Sequence, residues 1–327
     1  MKLPRRKFFH LASGAAVLPA VWRVANAQSY PMRPVRIVVP YAPGGAADLF
    51  ARLIAQKLSE HLGKQVFTEN MGGAGGNIGT GRAARAGADG YTMIVVASLF
   101  VTNPFVYDTV PYDPIKDFDP VTLPLITPIM LSVNPSLPVQ TVKDLVALIR
   151  ANPGEYSYAS AATGTRTYFM GESFKQSLNL DLVHVPFNGG GLAVVSVLAG
   201  HTPVFFSTPP PVVQHIKEGT LRALAVMSKA RSQILPDVPT IAEAGYPDFD
   251  GEEWYGILVP AGTPKAVIAL LNREIVGIIA LPDIKEQLAA FGFELVATAT
   301  PEEFAARIKA ETEKWDKVIR AAKIKSQ

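Results

Sequence analysis

Short continuous apolar runs alternate along the chain with longer segments whose apolar residues recur every three or four positions. Residues 35–41 form one such run. Residues 47–62 follow, with Leu49, Leu53, Leu58 and Leu62 on one side and Asp48 at the start, the pattern of a buried strand leading into an amphipathic helix. A strand over 65–69, a helix over 77–86 and a strand over 91–97 repeat it. The proline-punctuated stretch 103–128 reads as ordered loop. A second series opens with a strand at 129–133 and a helix at 142–150, which Thr141 and Asp144 start and Pro153-Gly154 end. Strands at 156–160, 182–186, 204–206 and 221–227 then alternate with helices at 165–177 and 192–199. After 236–245 the pattern changes again: a strand at 254–259, helices at 267–279 and 284–290, a short strand at 294–296, and a last helix from Pro301. Such alternation predicts an α/β architecture with mainly parallel sheets.

The first 27 residues stand apart. Arg5 and Arg6 precede Phe8 and Phe9, an apolar stretch covers 11–21, and Ala25-Asn26-Ala27 has the small-x-small form of a signal-peptidase site. The apolar stretch is shorter than the roughly 20 residues of a membrane span. The paired arginines suggest a twin-arginine signal, with a mature chain from Gln28. This leader changes the charge picture. The whole chain has 31 basic and 28 acidic residues, but five basic and no acidic residues fall in the leader, leaving 26 against 28. A mature protein of that balance offers nucleic acid no attraction. With no cysteine, disulfides, thiolate metal sites and thiol nucleophiles are excluded together, and about 300 residues suffice for large cores in two lobes.

Two glycine-rich segments carry the chemistry. Pro43-Gly44-Gly45 with Asp48 follows the first strand, and Gly72-Gly73-Ala74-Gly75-Gly76-Asn77 follows the second. Glycines at a strand-to-helix turn let the backbone approach a ligand, and the unbonded N–H groups of a helix start attract anions. Gly73, Gly75 and Gly79 miss the dinucleotide spacing, and no Gly-Lys-Ser/Thr is present. His61, His184, His201 and His215 lack metal-ligand spacing, and no G-x-S-x-G elbow exists. The pattern points to an anion held rather than transformed, with no cofactor, metal or catalytic group expected. The segments Thr163-Gly164-Thr165-Arg166 and Phe187-Asn188, together with Ser207, repeat the strand-end placement in the second series. Ligands in open α/β sheets bind beyond the carboxyl ends of strands. Plain helix capping is the competing role for Thr165 and Ser207.

At these segments the chain resembles the Bug family, the extracytoplasmic solute-binding receptors of tripartite tricarboxylate transporters. The matching stretches are YPMRPVRIVVPYAPGGAADLFARLIAQKL from Tyr30, GKQVFTENMGGAGGNIGTGRAARAGADGYT from Gly63, PYDPIKDFDPVT from Pro111, HVPFNGGG from His184, LRALAVMSKARSQILPDVPTIAEAGYP from Leu221 and WYGILVPAGTP from Trp254. The resemblance implies a two-lobed Venus-flytrap fold with two crossovers: lobe one from 28–127 and 245–327, lobe two from 128–244. It implies a periplasmic, monomeric receptor that passes a small carboxylate to membrane permease subunits. It also implies that the ligand is gripped by Pro43, Gly44, Gly45, Gly75, Gly76 and Asn77 from one lobe, near Asp48 and Ser98, and by the loops around Thr163 to Thr165 and Phe187-Asn188 from the other. A ligand sensor for signalling is an alternative binding role; an exported hydrolase is the alternative from another class.

The departures from the family pattern bear on the ligand. Phe187-Asn188 replaces the usual aromatic-plus-lysine, and Pro203 and Thr208 stand where aspartates are common. Fewer acidic groups then remain for an amine, so a dicarboxylate or aromatic carboxylate is expected over an amino-dicarboxylate. Arg166 replaces a small or neutral residue and could make a bidentate contact to a second carboxylate. Alternatively it turns sideways on its helix and pairs with Glu172 or another carboxylate.

Overall fold

Ala97 ends a strand in which all six residues are buried, flanked on both sides by other strands of the first of two sheets. The computed structural model describes residues 30–247, 249, 251–296 and 300–322; the expected leader and the start at Gln28 lie outside them. The first elements are β1 (Val35–Val39), α1 (Ala46–Leu62), β2 (Val66–Asn70), a 3-10 turn (Ala74–Gly76), α2 (Asn77–Ala84), β3 (Thr92–Ala97), α3 (Leu99–Val106) and β4 (Phe118–Pro128). The middle series is β5 (Met130–Val133), α4 (Val142–Ala151), β6 (Ser157–Ser160), α5 (Arg166–Ser177), β7 (Val183–Pro186), α6 (Gly190–Leu198), β8 (Val204–Ser207), α7 (Val213–Lys217) and β9 (Arg222–Val226). The chain closes with β10 (Glu252–Pro260), α8 (Lys265–Ala280), α9 (Pro282–Ala290), β11 (Glu294–Leu295) and α10 (Pro301–Ala322).

The first sheet has the order β11-β4-β10-β3-β1-β2 and the second β7-β6-β8-β5-β9. Each joins a parallel half to an antiparallel half. In the first, β1 runs parallel to β2 and β3, while β10 is antiparallel to β3 and β4. In the second, β6 is parallel to β7 and β8, while β5 is antiparallel to β8 and β9. The mainly parallel sheets expected from the alternation are therefore corrected: apolar runs report burial but not direction, and strands that leave one sheet and return run against their neighbours.

The stretch 103–128 is a loop only over 107–117. It holds the end of α3, with Pro104 inside it, and the eleven residues of β4. Pro124 falls in a register shift against β10, where its missing N–H breaks no pairing, and its carbonyl accepts from Val296 N (2.9 Å). Prolines in the sequence masked the strand.

The chain passes between the sheets twice, after β4 and before β10. A ring of main-chain bonds ties the two passages together: Ile129 N donates to Gly251 O, Gly251 N to Met227 O, and Met227 N to Ile129 O (3.0, 2.9 and 2.7 Å). Phe249 is buried among Ile129, Phe174 and Met227 of the second sheet's core, and Tyr246 packs on it. Local signals agree with the helix ends expected around α4, where Thr141 and Asp144 form a reciprocal capping box.

Candidate functional site

Six loops at the carboxyl ends of β1, β2, β3, β6, β7 and β8 meet around one cavity of about 60 Å³, lined from the first sheet's side by Tyr41, Gly45, Ala47, Gly75, Gly76, Leu99, Glu253 and Tyr255, and from the second's by Ala162, Thr165, Thr167, Asn188, Gly190, Phe206, Ser207 and Thr208. By the volume one enclosed water needs, that is room for roughly four to six water positions.

The helices that start here leave their first N–H groups without side-chain caps. Gly45 caps α1 in an extended conformation, Gly76 caps α2 and Gly189 caps α6, and none of the three helices receives a side-chain cap bond. Three helix starts of positive dipole thus open on one space. The backbone at Gly75 (φ 61°) and Gly76 (φ 89°) is left-handed, and a Cβ on Gly76 would lie 3.1 Å from Pro40 O and the Tyr41 ring. Only glycine permits this turn. Among the described residues, none lining the cavity is basic.

Of the residues singled out from the sequence, Gly45, Gly75, Gly76, Thr165, Asn188 and Ser207 line the cavity. Ser207 Oγ is buried without a hydrogen-bond partner, so it is available to a ligand. Thr165 is present but occupied: its hydroxyl donates to Ala162 O (2.6 Å) and accepts from Tyr168 N (3.2 Å), capping α5. The capping role weighed from the sequence is thus observed for Thr165.

Other expected ligand residues do supporting work. Asp48 is corrected: its Oδ2 accepts from Gly44 N (3.0 Å) and Arg52 Nε (2.9 Å), and its Oδ1 from Asn70 Nδ2 (2.9 Å), so a buried carboxylate braces the glycine turn instead of facing a ligand. Asn77 Oδ1 accepts from Asn103 Nδ2 (2.7 Å), tying α2 to α3. Ser98 N donates to Glu253 Oε1 (2.9 Å). Pro43 and Gly44 are exposed and face Gly191 across the cleft. Gly164 O accepts from Thr102 Oγ1 (2.6 Å), Thr163 lies half-buried off the cavity, and Phe187 packs on the second sheet's core.

Arg166 is the clearest correction. Its Nη2 lies 2.9 Å from Glu311 Oε2, and its guanidinium sits 4.5 Å from the Trp315 ring centre, so it points at α10 and not into the cavity. Thr165 takes the cap position facing the cavity, and the next residue lies about 100° around the helix. The sideways alternative is the one observed, with Glu311 as partner.

The sequence reading missed Tyr41 and Glu253. Tyr41 Oη accepts from Ala97 N (3.3 Å), which leaves its own hydrogen to be placed. Glu253 is 4% exposed, and its Oε1 accepts from Ser98 N and from Trp254 N (3.0 Å). Burial raises its pKa, only partly offset by the charge of Arg166 and by these bonds. The available signal was a carboxylate opening an otherwise apolar strand.

Helix starts from two sheets converging on one cleft, with two chain crossings behind it, define a two-lobed solute-binding receptor of the Venus-flytrap type. Residues 50–324 match the family described as the tripartite tricarboxylate transporter family receptor, TctC, and the chain belongs to that family. It is a binding receptor, not an enzyme. Protein BugT of Bordetella pertussis is 36% identical over 92% of this chain and 93% of its own length. Among solved structures, periplasmic binding protein BugD (32% identity, TM-score 0.87) covers 91% of this chain and 100% of its own. A protein from R. palustris solved with adipate (34% identity, TM-score 0.86) covers 90% and 98%.

Proposed function

We propose that this receptor captures a small carboxylate, a dicarboxylate or an aromatic carboxylate, between its lobes and presents it to the permease subunits of a tripartite tricarboxylate transporter. The observation that carries the reading is the convergence of α1, α2 and α6, each starting on a glycine with no side-chain cap. Such groups favour a carboxylate and disfavour a cation. The adipate held by the R. palustris relative supports the same class. In this reading Gly45, Gly75 and Asn188 contribute main-chain or amide donors and Ser207 a hydroxyl, while Gly76, whose N–H donates to Gly73 O (3.0 Å), shapes the turn.

The reading takes residues 28–127 and the C-terminal part as lobe one. Lobe two covers 128–244, and Tyr246 and Phe249 of the return passage pack on its core. The protein works as an exported, periplasmic monomer. Mass spectrometry of small molecules released from the purified protein, followed by calorimetry against mono-, di-, tri- and aromatic carboxylates, tests the ligand class. A dissociation constant on the order of micromolar, about −8 kcal/mol, is expected for the best dicarboxylate or aromatic carboxylate. A cation or neutral sugar as the tightest ligand would overturn it.

A further inference from the structure

Glu253 places an ionisable carboxyl in the wall of a cavity that otherwise offers hydrogen-bond donors to an anion. The following rests on the carboxylate reading above. We propose that Glu253 stands in the cavity as the neutral acid and donates its hydrogen to the bound ligand, so that the receptor selects donor-free carboxylates over those bearing an ammonium and, at any pH high enough to ionise Glu253 in the empty protein, takes up a proton with its ligand.

The geometry assigns the hydrogen. Oε1 already accepts from two main-chain N–H groups, Ser98 N and Trp254 N. The hydrogen of a neutral acid therefore belongs on Oε2, the oxygen that receives no main-chain donor, in a carboxyl that lines the cavity. The ionisable groups around Glu253 are Tyr41 from the β1–α1 turn, Tyr255 on its own strand, and Arg166 from α5. Burial raises both phenol pKa values, so neither carries charge. Arg166 is paired to Glu311 and stacked on Trp315. Among the described residues, no basic side chain lines the cavity itself. An ionised Glu253 would then share about 60 Å³ with the ligand's own negative charge. Like charges that close cannot both persist in a poorly solvated site, and one group takes a proton. Burial already pushes the Glu253 pKa upward, so the proton goes there.

Three measurements test this. The first is the infrared difference between wild type and Glu253→Gln without ligand at pH 7; the carbonyl stretch of a protonated carboxyl should be lost in the variant. Its absence from wild type overturns the inference whatever the ligand is. The second is calorimetry of adipate binding between pH 6 and 9 in buffers of different ionisation enthalpy. Below the Glu253 pKa of the empty protein wild type should bind with no proton exchange; as pH rises through that pKa it should begin to take up a proton, and affinity should fall by up to tenfold per pH unit. Glu253→Gln donates at every pH, so its binding should be flat with pH and tighter than wild type at pH 9. The third compares adipate with 2-aminoadipate, which should bind more than tenfold more weakly. Tighter binding of 2-aminoadipate with no proton uptake would show Glu253 ionised against an ammonium and overturn the inference. A protonated-carboxyl band in a protein that binds none of the carboxylates supports the neutral Glu253 and counts against the ligand class.

Discussion

Gly191, the second residue of α6, faces the Pro43 carbonyl so closely that a Cβ built on it would lie 2.3 Å from that oxygen. The two loops also share a direct bond from Ala42 N to Asn188 O (3.1 Å). The lobes therefore meet backbone to backbone over the cavity, and a side chain added at Gly191 would hold them apart. In the proposed function, ligand contacts with both lobes would favour this closed arrangement.

Gly191→Ala should separate folding from closure. Alanine raises helix propensity by nearly 1 kcal/mol over glycine, so thermal stability without ligand should hold or rise. Carboxylate affinity should drop at least tenfold, about 1.4 kcal/mol. Solution scattering should show the wild type, but not the variant, compacting on saturation. Equal affinity and equal compaction would contradict the seam described here.

Arg166→Ala is expected to weaken the fold and leave ligand choice alone. The pair with Glu311 is about nine-tenths buried on both sides, and the Trp315 contact is lost with it. Glu311 keeps Arg307 as a partner at 3.2 Å, which limits the damage. A loss of about 1–3 kcal/mol in urea unfolding follows, below the range for stranding a buried charge. Calorimetry should give the same preference between a dicarboxylate and its matched monocarboxylate as in wild type.

Asp48→Ala should damage both stability and binding. Burial raises the Asp48 pKa, but bonds from Arg52, Gly44 and Asn70 outweigh it and the net shift is downward. Three donors lose their acceptor on substitution, a cost of about 3 kcal/mol, and the Gly44-Gly45 turn loses its brace. Chemical denaturation and calorimetry on the same sample read both effects; a variant that is destabilised yet binds normally would show the turn to be rigid without Asp48.

His184 should make stability fall in mild acid. Burial, with the nearby positive charge of Lys175, lowers its pKa to about 4, while its Nε2 lies 2.8 Å from Ser160 Oγ. The folded protein thus holds the ring neutral where the unfolded chain would protonate it. That contribution is complete above the ordinary pKa near 6.5 and is lost as pH drops from there toward 4. The urea midpoint of wild type should decline over this window, and that of His184→Gln should decline less. Parallel curves would remove His184 as the cause.

Most of the cavity was legible as strand-to-helix turns rich in glycine, since the requirement for left-handed backbone at Gly75 and Gly76 is local to the chain. The alternation of runs likewise exposed the helices from α1 to α10 apart from α3 and α7. What escaped depended on partners distant in sequence. β4 was hidden because the role of Pro124 depends on the register with β10 and on Val296. Glu253 carries no local signal of burial, and only the packing of β10 against β3 and β4 buries it. For Arg166 the ligand and the sideways ion pair both stayed open, because α10, which holds its partner, begins more than a hundred residues later.

If the proposed function holds, a grip made from peptide groups at α1, α2 and α6 has a consequence for descent. Point substitutions replace side chains and leave main-chain N–H groups in place, so affinity for the carboxylate end persists while the wall around it drifts. Changes at Asn188, Ser207 or Thr208 can retune the far end of the ligand one at a time, each intermediate still holding an anion. New substrates then become reachable without passing through a receptor that binds nothing.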